Sequence, residues 1–283
     1  MKVLVTGVKG QLGYDVIKEL RKRGHQPIGI DREEMDLMNN ESIRTSIMKY
    51  NPEAIIHCAA YTAVDQAEGE VEICYQINAE SVKVIAECVK ELKIKLIYIS
   101  TDYVFDGTQE GEYVETDLPN PINVYGASKL KGEQYVQDVL TDYYIVRISW
   151  VFGINGNNFI KTMCRLGIER SELNIIQDQV GSPTYTADLA PLLVEMIETN
   201  KYGIYHATNT GYCSWYEFAN EIFKQSGIEV KVNPITTDQY LTAARRPMNS
   251  KLSKVKLESV GFNQLPSWEK AVANYLENSH GTI

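Results

Sequence analysis

The sequence predicts an α/β protein in which a doubly wound parallel sheet carries a smaller α/β domain. Three observations lead there. Short β-rich runs alternate with helical stretches from residue 2 onward, as expected of a parallel sheet covered by helices on both faces. A glycine-rich turn follows the first of these runs directly, at residues 7–13. After Trp150 the rhythm loosens, yet no Ser/Gly linker, internal repeat or low-complexity stretch separates two halves.

In chain order, Lys2–Thr6 reads as a strand. Residues 11–23 form a helix with apolar positions at 12, 16, 17 and 20, the spacing of one buried face. Gln26–Ile30 is a second strand, 42–50 helical, 53–57 a third strand and 72–92 one long helix. The run KLIYIS at 95–100 is a buried strand, 124–140 a helix and 144–149 a strand. Beyond it, 157–170, 187–198, 214–225, 251–260 and 268–276 read as helices, with strands at 173–177, 203–207 and 229–233. The expected division is a dinucleotide-binding domain over 1–150, joined by a returning segment 172–206. A substrate-binding domain would take 151–171 and 207–283.

Composition narrows the function. The 283 residues suit two average domains or one large α/β unit. A formal charge of −9 argues against a nucleic-acid binder, which would carry a basic face. Hydrophobic residues at 44% and charged residues at 23% describe a globular chain. No apolar run approaches the ~20 residues of a membrane helix, and the N-terminus does not read as a signal peptide. Five cysteines, an odd number without C-x-x-C, read as reduced thiols of a cytoplasmic protein.

The turn after the first strand is Gly7-Val8-Lys9-Gly10-Gln11-Leu12-Gly13. Glycines let a backbone approach a pyrophosphate, and the helix behind them offers free N–H groups and a partial positive charge. This strand–turn–helix setting marks a Rossmann-type dinucleotide cradle. Asp31 lies at the end of the second strand, 18 residues beyond Gly13. That is close to the spacing of a ribose-binding acid. Arg32 beside it suits a 2′-phosphate, so NADH and NADPH both fit. Asp36 and Leu37 follow where the chain would pass the adenine, and the small residues Cys58-Ala59-Ala60 end the third strand, where a flat cofactor could lie close.

Tyr125 and Lys129 stand at i and i+4 in Y-x-x-x-K, on one helix face. A nearby ammonium favours phenolate and brings a tyrosine towards the range of a general acid. The pattern is common by chance, and Tyr14/Lys18 repeats it. That second pair, however, belongs to the pyrophosphate end. Thr101, at the end of the fourth strand, places a hydroxyl where it could meet Tyr125 on one carbonyl oxygen. Arg245 and Arg246 form an isolated basic pair in an acidic chain, and Trp150 follows a strand with an apolar face.

Seven segments carry a resemblance: TGVKGQLG (6–13), AAYTAVDQAE (59–68), ISTDYVFDG (99–107), NVYGASKLKGE (123–133), RISWVFG (147–153), QVGSPTYTADLA (179–190) and RRPMNSKL (245–252). Together they resemble the extended short-chain dehydrogenase/reductase superfamily and, within it, the dTDP-4-dehydrorhamnose reductase family. The resemblance implies NAD(P)H-dependent reduction of the C4 ketone of dTDP-4-dehydro-6-deoxy-L-mannose to dTDP-L-rhamnose, in the biosynthesis of rhamnose-containing polysaccharides. It makes Tyr125 the proton donor, Lys129 its helper and ribose contact, and Thr101 an aid at the substrate oxygen. Gly7, Gly10, Gln11, Leu12 and Gly13 would hold the pyrophosphate. Asp31, Arg32, Asp36 and Leu37 would line the adenosine end, and Ala60, Tyr61, Thr62 and Ile99 the nearer cofactor wall. Thr101, Asp102, Tyr103, Trp150, Arg245 and Arg246 would meet the sugar nucleotide.

Some members of that family bind Mg2+ at a dimer contact. The acids available here are Asp15, Asp188 and Glu269. The histidines (His25, His57, His206, His280) show no ligand spacing. No metal ligand is therefore assigned, any Mg2+ would be structural, and a homodimer is the partner arrangement considered. Two other readings stand beside the reductase: an epimerase or dehydratase of the same superfamily, and a non-catalytic NADP-binding regulatory subunit.

Overall fold

A computed structural model describes residues 1–279. His280 and the end of the 207–283 segment lie outside the described residues. The main sheet contains β1 (Lys2–Thr6), β2 (Gln26–Ile30), β3 (Ala54–His57), β4 (Lys95–Thr101) and β5 (Tyr144–Ile148). Its sixth strand is Gly203–His206, and the order across the sheet is 203–206, β5, β4, β3, β1, β2, all parallel. The chain winds outward from β1 to β2, then returns to place β3 on the other side of β1. The crevice beyond the carboxyl ends of β1 and β3 is the switch point where open α/β sheets bind ligands.

Strand residues alternate between two cores. Val3 and Val5 join Ile56, Ile97 and Val146 under helices α1 (Gln11–Lys22) and Thr186–Glu198. Leu4, Ile55, Leu96 and Ile145 face α2 (Asn40–Tyr50), α3 (Ser81–Leu92) and α4 (Val124–Val139). Burial on both faces accounts for the near-continuous apolar strands. Each fully buried Val, Leu or Ile contributes about 1.5–3 kcal/mol.

The remainder forms a second layer around an aromatic core that includes Phe152, Tyr185, Phe218, Trp268 and Tyr275. Helices Phe159–Glu169, Trp215–Ser226 and Trp268–Asn278 enclose it.

Three expectations need correction. Strand Glu172–Ile176 pairs with Lys231–Ile235, not with the main sheet. The returning segment that builds on the main sheet therefore begins with helix Thr186–Glu198. The half-exposed pattern of 172–176 suits a two-stranded ribbon rather than a doubly covered sheet. The long helix over 72–92 is broken by a π-helical turn, Gln76–Glu80, between Val71–Tyr75 and α3. The helix at 251–260 shrinks to Val255–Ser259, because Leu252 bridges to Tyr113 and Asn249–Ser250 pairs with Val180–Gly181.

Candidate active site

The glycine turn is shaped for an anion. Gly7 adopts a φ of +69°, and a Cβ there would come within 2.9 Å of the Ala59 Cα. Only glycine lets the β1 turn lie against the end of β3. Gly10 caps α1 without a side-chain hydrogen bond, and the first turn holds no acid, while Arg21 and Lys22 stand in the last. The N-terminal N–H groups and the positive end of the helix dipole are thus left for a ligand. Gln11 and Asn155 brace this turn. Gln11 Oε1 accepts from the Gly153 N–H at 2.8 Å, and Asn155 Nδ2 donates to the Lys9 carbonyl at 2.7 Å.

Two adjoining cavities follow the sheet edge. The one of about 460 Å³ is lined by Gly7, Asp31, Arg32, Asp36, Leu37, Ala60 and Tyr61, with Met35, Met38, Ile73 and Ile77 adding an apolar wall. The other, of about 640 Å³, runs from Gly7, Gly10, Gln11 and Leu12 past Ala60, Thr62 and Ile99. It ends among Thr101, Asp102, Tyr103, Tyr125, Lys129 and Trp150. A two-part channel of this form suits a dinucleotide laid across the switch point with its reactive end towards Tyr125.

The reactive end is held from several elements. Asn123 caps α4, its Oδ1 accepting from the Gly126 N–H at 2.7 Å. This fixes the turn that carries Tyr125. The Tyr125 ring meets Tyr103 edge-on, with centroids 5.8 Å apart. Thr101 caps the short turn Asp102–Val104, accepting from the Tyr103 N–H at 3.2 Å and donating to Asp102 Oδ1 at 3.0 Å. Thr101 therefore both caps a turn and lines the cavity.

Lys129 is 2% exposed, and its Nζ donates to the Ile99 carbonyl at 2.6 Å while lying 4.1 Å from the Tyr98 ring centroid. Burial pulls its pKa down to about 7, against the pull of Glu133. Burial also pushes the Tyr125 phenol up, countered by the Thr101 hydroxyl and reinforced by Asp102. The expected acidification of Tyr125 by Lys129 does not emerge: burial raises the phenol, and the group that lowers it is Thr101. Asp102 is raised to about 6, chiefly by burial, against the pull of hydrogen bonds from Ser250 and Thr101.

Behind Lys129 lies a buried ion pair. Glu133 accepts from Arg147 Nε at 2.9 Å and Nη2 at 2.7 Å, and the Ser100 hydroxyl also donates to it. The π-helical Asn78 accepts from the Tyr61 N–H at 2.8 Å and donates to the Ser128 hydroxyl at 3.0 Å. It links the cofactor wall to the Tyr125 helix.

Some expected residues stand elsewhere. Gly13 does not line the cavities; a side chain there would strike the Gly7 carbonyl, so it serves the packing of α1 on the turn. Arg245 is exposed and Arg246 is engaged by Asp65, at 2.6 and 3.1 Å, and neither lines either cavity. The strap that carries them is also tied through the Arg245 carbonyl to Asn123 Nδ2 at 2.8 Å. Sequence reasoning missed Lys9, Asn157 and Trp215, all of which line the larger cavity. Lys9 Nζ stands 3.9 Å from Asp31 Oδ2. A cation inside the glycine turn was a readable signal; Asn157 and Trp215 arrive from distant segments and gave none.

Asp15 and Asp188 are occupied by Thr186, at 2.6 Å, and Asn209, at 2.8 Å. Among the described residues no group of three or more His, Cys, Asp or Glu could hold a metal ion. No described helix is long and apolar enough to cross a membrane.

A dinucleotide cradle opening onto a Tyr, Lys and Thr set at the sheet edge belongs to nicotinamide-dependent oxidoreductases of the short-chain type. The family profile described as RmlD substrate binding domain matches residues 1–280. A solved dTDP-4-dehydrorhamnose reductase from Bacillus anthracis, in complex with NADP, superposes with a TM-score of 0.95 at 44% identity, covering 98% of this chain and 99% of that one. The dTDP-4-dehydrorhamnose reductase of Aggregatibacter actinomycetemcomitans is 40% identical, over 96% of this chain and 97% of its own. The spore coat polysaccharide biosynthesis protein SpsK of Bacillus subtilis is 38% identical, over 98% and 97%. This chain belongs to the dTDP-4-dehydrorhamnose reductase family.

Proposed function

We infer that the chain is an NAD(P)H-dependent oxidoreductase that reduces the C4 ketone of dTDP-4-dehydro-6-deoxy-L-mannose to dTDP-L-rhamnose. One observation carries this reading: Tyr125, Lys129 and Thr101 line a single cavity that is continuous with the Gly7–Leu12 cradle. The family membership supports it.

The cradle fits the dinucleotide, since Gly7 and Gly10 line the larger cavity at the start of α1, whose first turn holds no acid and whose cap makes no side-chain hydrogen bond. Reduced nicotinamide, when bound, supplies the hydride for the ketone carbon. The chain's own residues do the rest. The Tyr125 hydroxyl holds the ketone oxygen, joined by Thr101 once its hydroxyl turns from Asp102, and Tyr125 gives the oxygen a proton as negative charge grows there. Its raised pKa keeps the phenol protonated until that moment. Lys129 has one donor on Ile99 and two more for ribose hydroxyls, and its charge eases the phenolate that remains. Holding the sugar near the nicotinamide contributes much of the rate through proximity.

NADPH is the proposed cofactor. The Bacillus anthracis relative was solved with NADP. Lys9, within 4 Å of Asp31, offsets a carboxylate that would repel a 2′-phosphate. The defining experiment supplies the dTDP-keto-sugar with NADPH or NADH and follows cofactor oxidation and dTDP-L-rhamnose formation. Stoichiometric oxidation separates a reductase from an epimerase or dehydratase that recycles its cofactor. Binding without turnover would favour a regulatory role instead.

A further inference from the structure

Trp150 is one of three non-glycine residues with positive φ among the described residues, at +48°. A bulky aromatic residue in the left-handed region is strained and persists only where its surroundings hold it. The backbone here is held by Thr184, whose N–H donates to the Trp150 carbonyl at 3.1 Å, and two further contacts hold the ring. Its ring stacks on Trp215 with centroids 3.6 Å apart and planes 13° from parallel. Gly181 lies against its edge, where a Cβ would come within 2.9 Å of Trp150 Cε2.

The two tryptophans come from different parts of the molecule. Trp150 follows β5 of the main sheet, whereas Trp215 opens helix Trp215–Ser226 of the second layer. That helix begins with a capping box in which Ser214 and Glu217 satisfy each other's backbone N–H groups. Trp215 also packs on Phe159, with centroids 4.7 Å apart. The second ring is therefore seated rigidly, and it lines the same cavity as Trp150, Tyr125 and Thr101.

We propose that Trp215 is a specificity-determining residue: it holds the Trp150 ring in place and forms with it a two-ring apolar wall that recognises the sugar half of the substrate. This deepens the functional reading above and rests on it. A stacked pair offers flat, dry surface to the C–H faces and methyl group of a 6-deoxyhexose. It offers little to the nucleotide diphosphate. Removing Trp215 should free the Trp150 ring and cost affinity for the sugar alone.

The test compares dTDP-L-rhamnose with dTDP, by calorimetric titration of the wild-type protein and of Trp215→Leu and Gly181→Ala. The expected result is at least a tenfold weaker Kd for dTDP-L-rhamnose in both variants, with dTDP and NADPH within twofold of wild type. Near-UV circular dichroism should lose the couplet of the stacked indoles in Trp215→Leu, and Trp215→Phe should restore most of the sugar affinity. Equal weakening of dTDP and dTDP-L-rhamnose, or no change in either, overturns the proposal while leaving the reductase reading intact. A wild-type protein that binds no dTDP-sugar removes that reading and the proposal with it.

Discussion

Lys129 donates its ammonium to the carbonyl of Ile99, at 2.6 Å, although Tyr125 stands one helical turn away on the same face of α4. The contact pins the cation between β4 and the cofactor wall. In the proposed mechanism its service to Tyr125 is exerted on the phenolate and through shared ligands, and it depends on the lysine remaining protonated.

That dependence sets a pH profile. Burial lowers Lys129 to about 7, so the ammonium is present below that pH and lost above it. The kcat/KM for ketone reduction should therefore fall as pH rises through about 7. In Lys129→Arg, whose guanidinium does not titrate in this range, the descending limb should vanish even if the rate is lower. A wild-type profile that stays flat from about 6 to about 8.5 contradicts the shift.

Replacing Tyr125 by Phe removes the proposed proton donor while keeping the ring against Tyr103. Turnover should drop by about 10²–10⁴-fold, with Kd values for NADPH and dTDP-L-rhamnose within a few-fold of wild type. Single-turnover kinetics beside equilibrium titration make this separation. Near-normal turnover would take Tyr125 out of the chemistry.

Asp102 is 2% exposed, and burial raises its pKa from 3.8 to about 6. Between those values the native state binds the proton that the unfolded state has released, so stability declines as pH rises through the interval. Above it the buried carboxylate is a standing cost. Asp102→Asn should accordingly stabilise the protein at pH ~7 by up to about 3 kcal/mol, and the gain should disappear below pH ~4. Urea denaturation at the two pH values measures both.

The Glu133–Arg147 pair is 0% and 2% exposed, so neither charge can find water if its partner is lost. Glu133→Gln or Arg147→Met alone should cost about 3–5 kcal/mol, and Glu133→Leu with Arg147→Met together should cost less than either. A double-mutant cycle by chemical denaturation reads the coupling. Additive losses would show that the pair is not a unit.

Lys9 supplies a prediction about the cofactor. Lys9→Glu replaces the cation between Asp31 and Glu33 with another acid and should lower kcat/KM with NADPH by at least about tenfold, while NADH is affected several-fold less. Initial rates with each cofactor give the ratio. An unchanged ratio would exclude Lys9 from the 2′-phosphate region.

Most of the site was legible where the signal is local. The Gly7–Gly13 turn, Asp31 at the end of β2, Thr101 at the end of β4 and the Tyr125/Lys129 spacing each follow from strand and helix periodicity. The rest depends on pairing between distant segments. Asp65 and Arg246 are 181 positions apart, and nothing in either segment announces that one engages the other. Trp215 enters the cavity only because its helix is seated on the aromatic core. The break at Gln76–Glu80 was hidden because the apolar spacing of 72–92 suits an unbroken helix. The extra residue per turn serves Asn78, whose partners are Tyr61 and Ser128.

The strand Gly203–His206 takes its place beside β5 only after the chain has left the sheet and laid down part of the second layer, and its His206 meets Arg147 from 59 positions further on. During synthesis, which delivers the N-terminal part first, the sheet must wait with a bare edge until this late segment emerges. Such distant pairing slows folding. Newly made chains stalled before residue 203 would expose β5 to one another, so aggregation should be steepest for nascent lengths just short of that point.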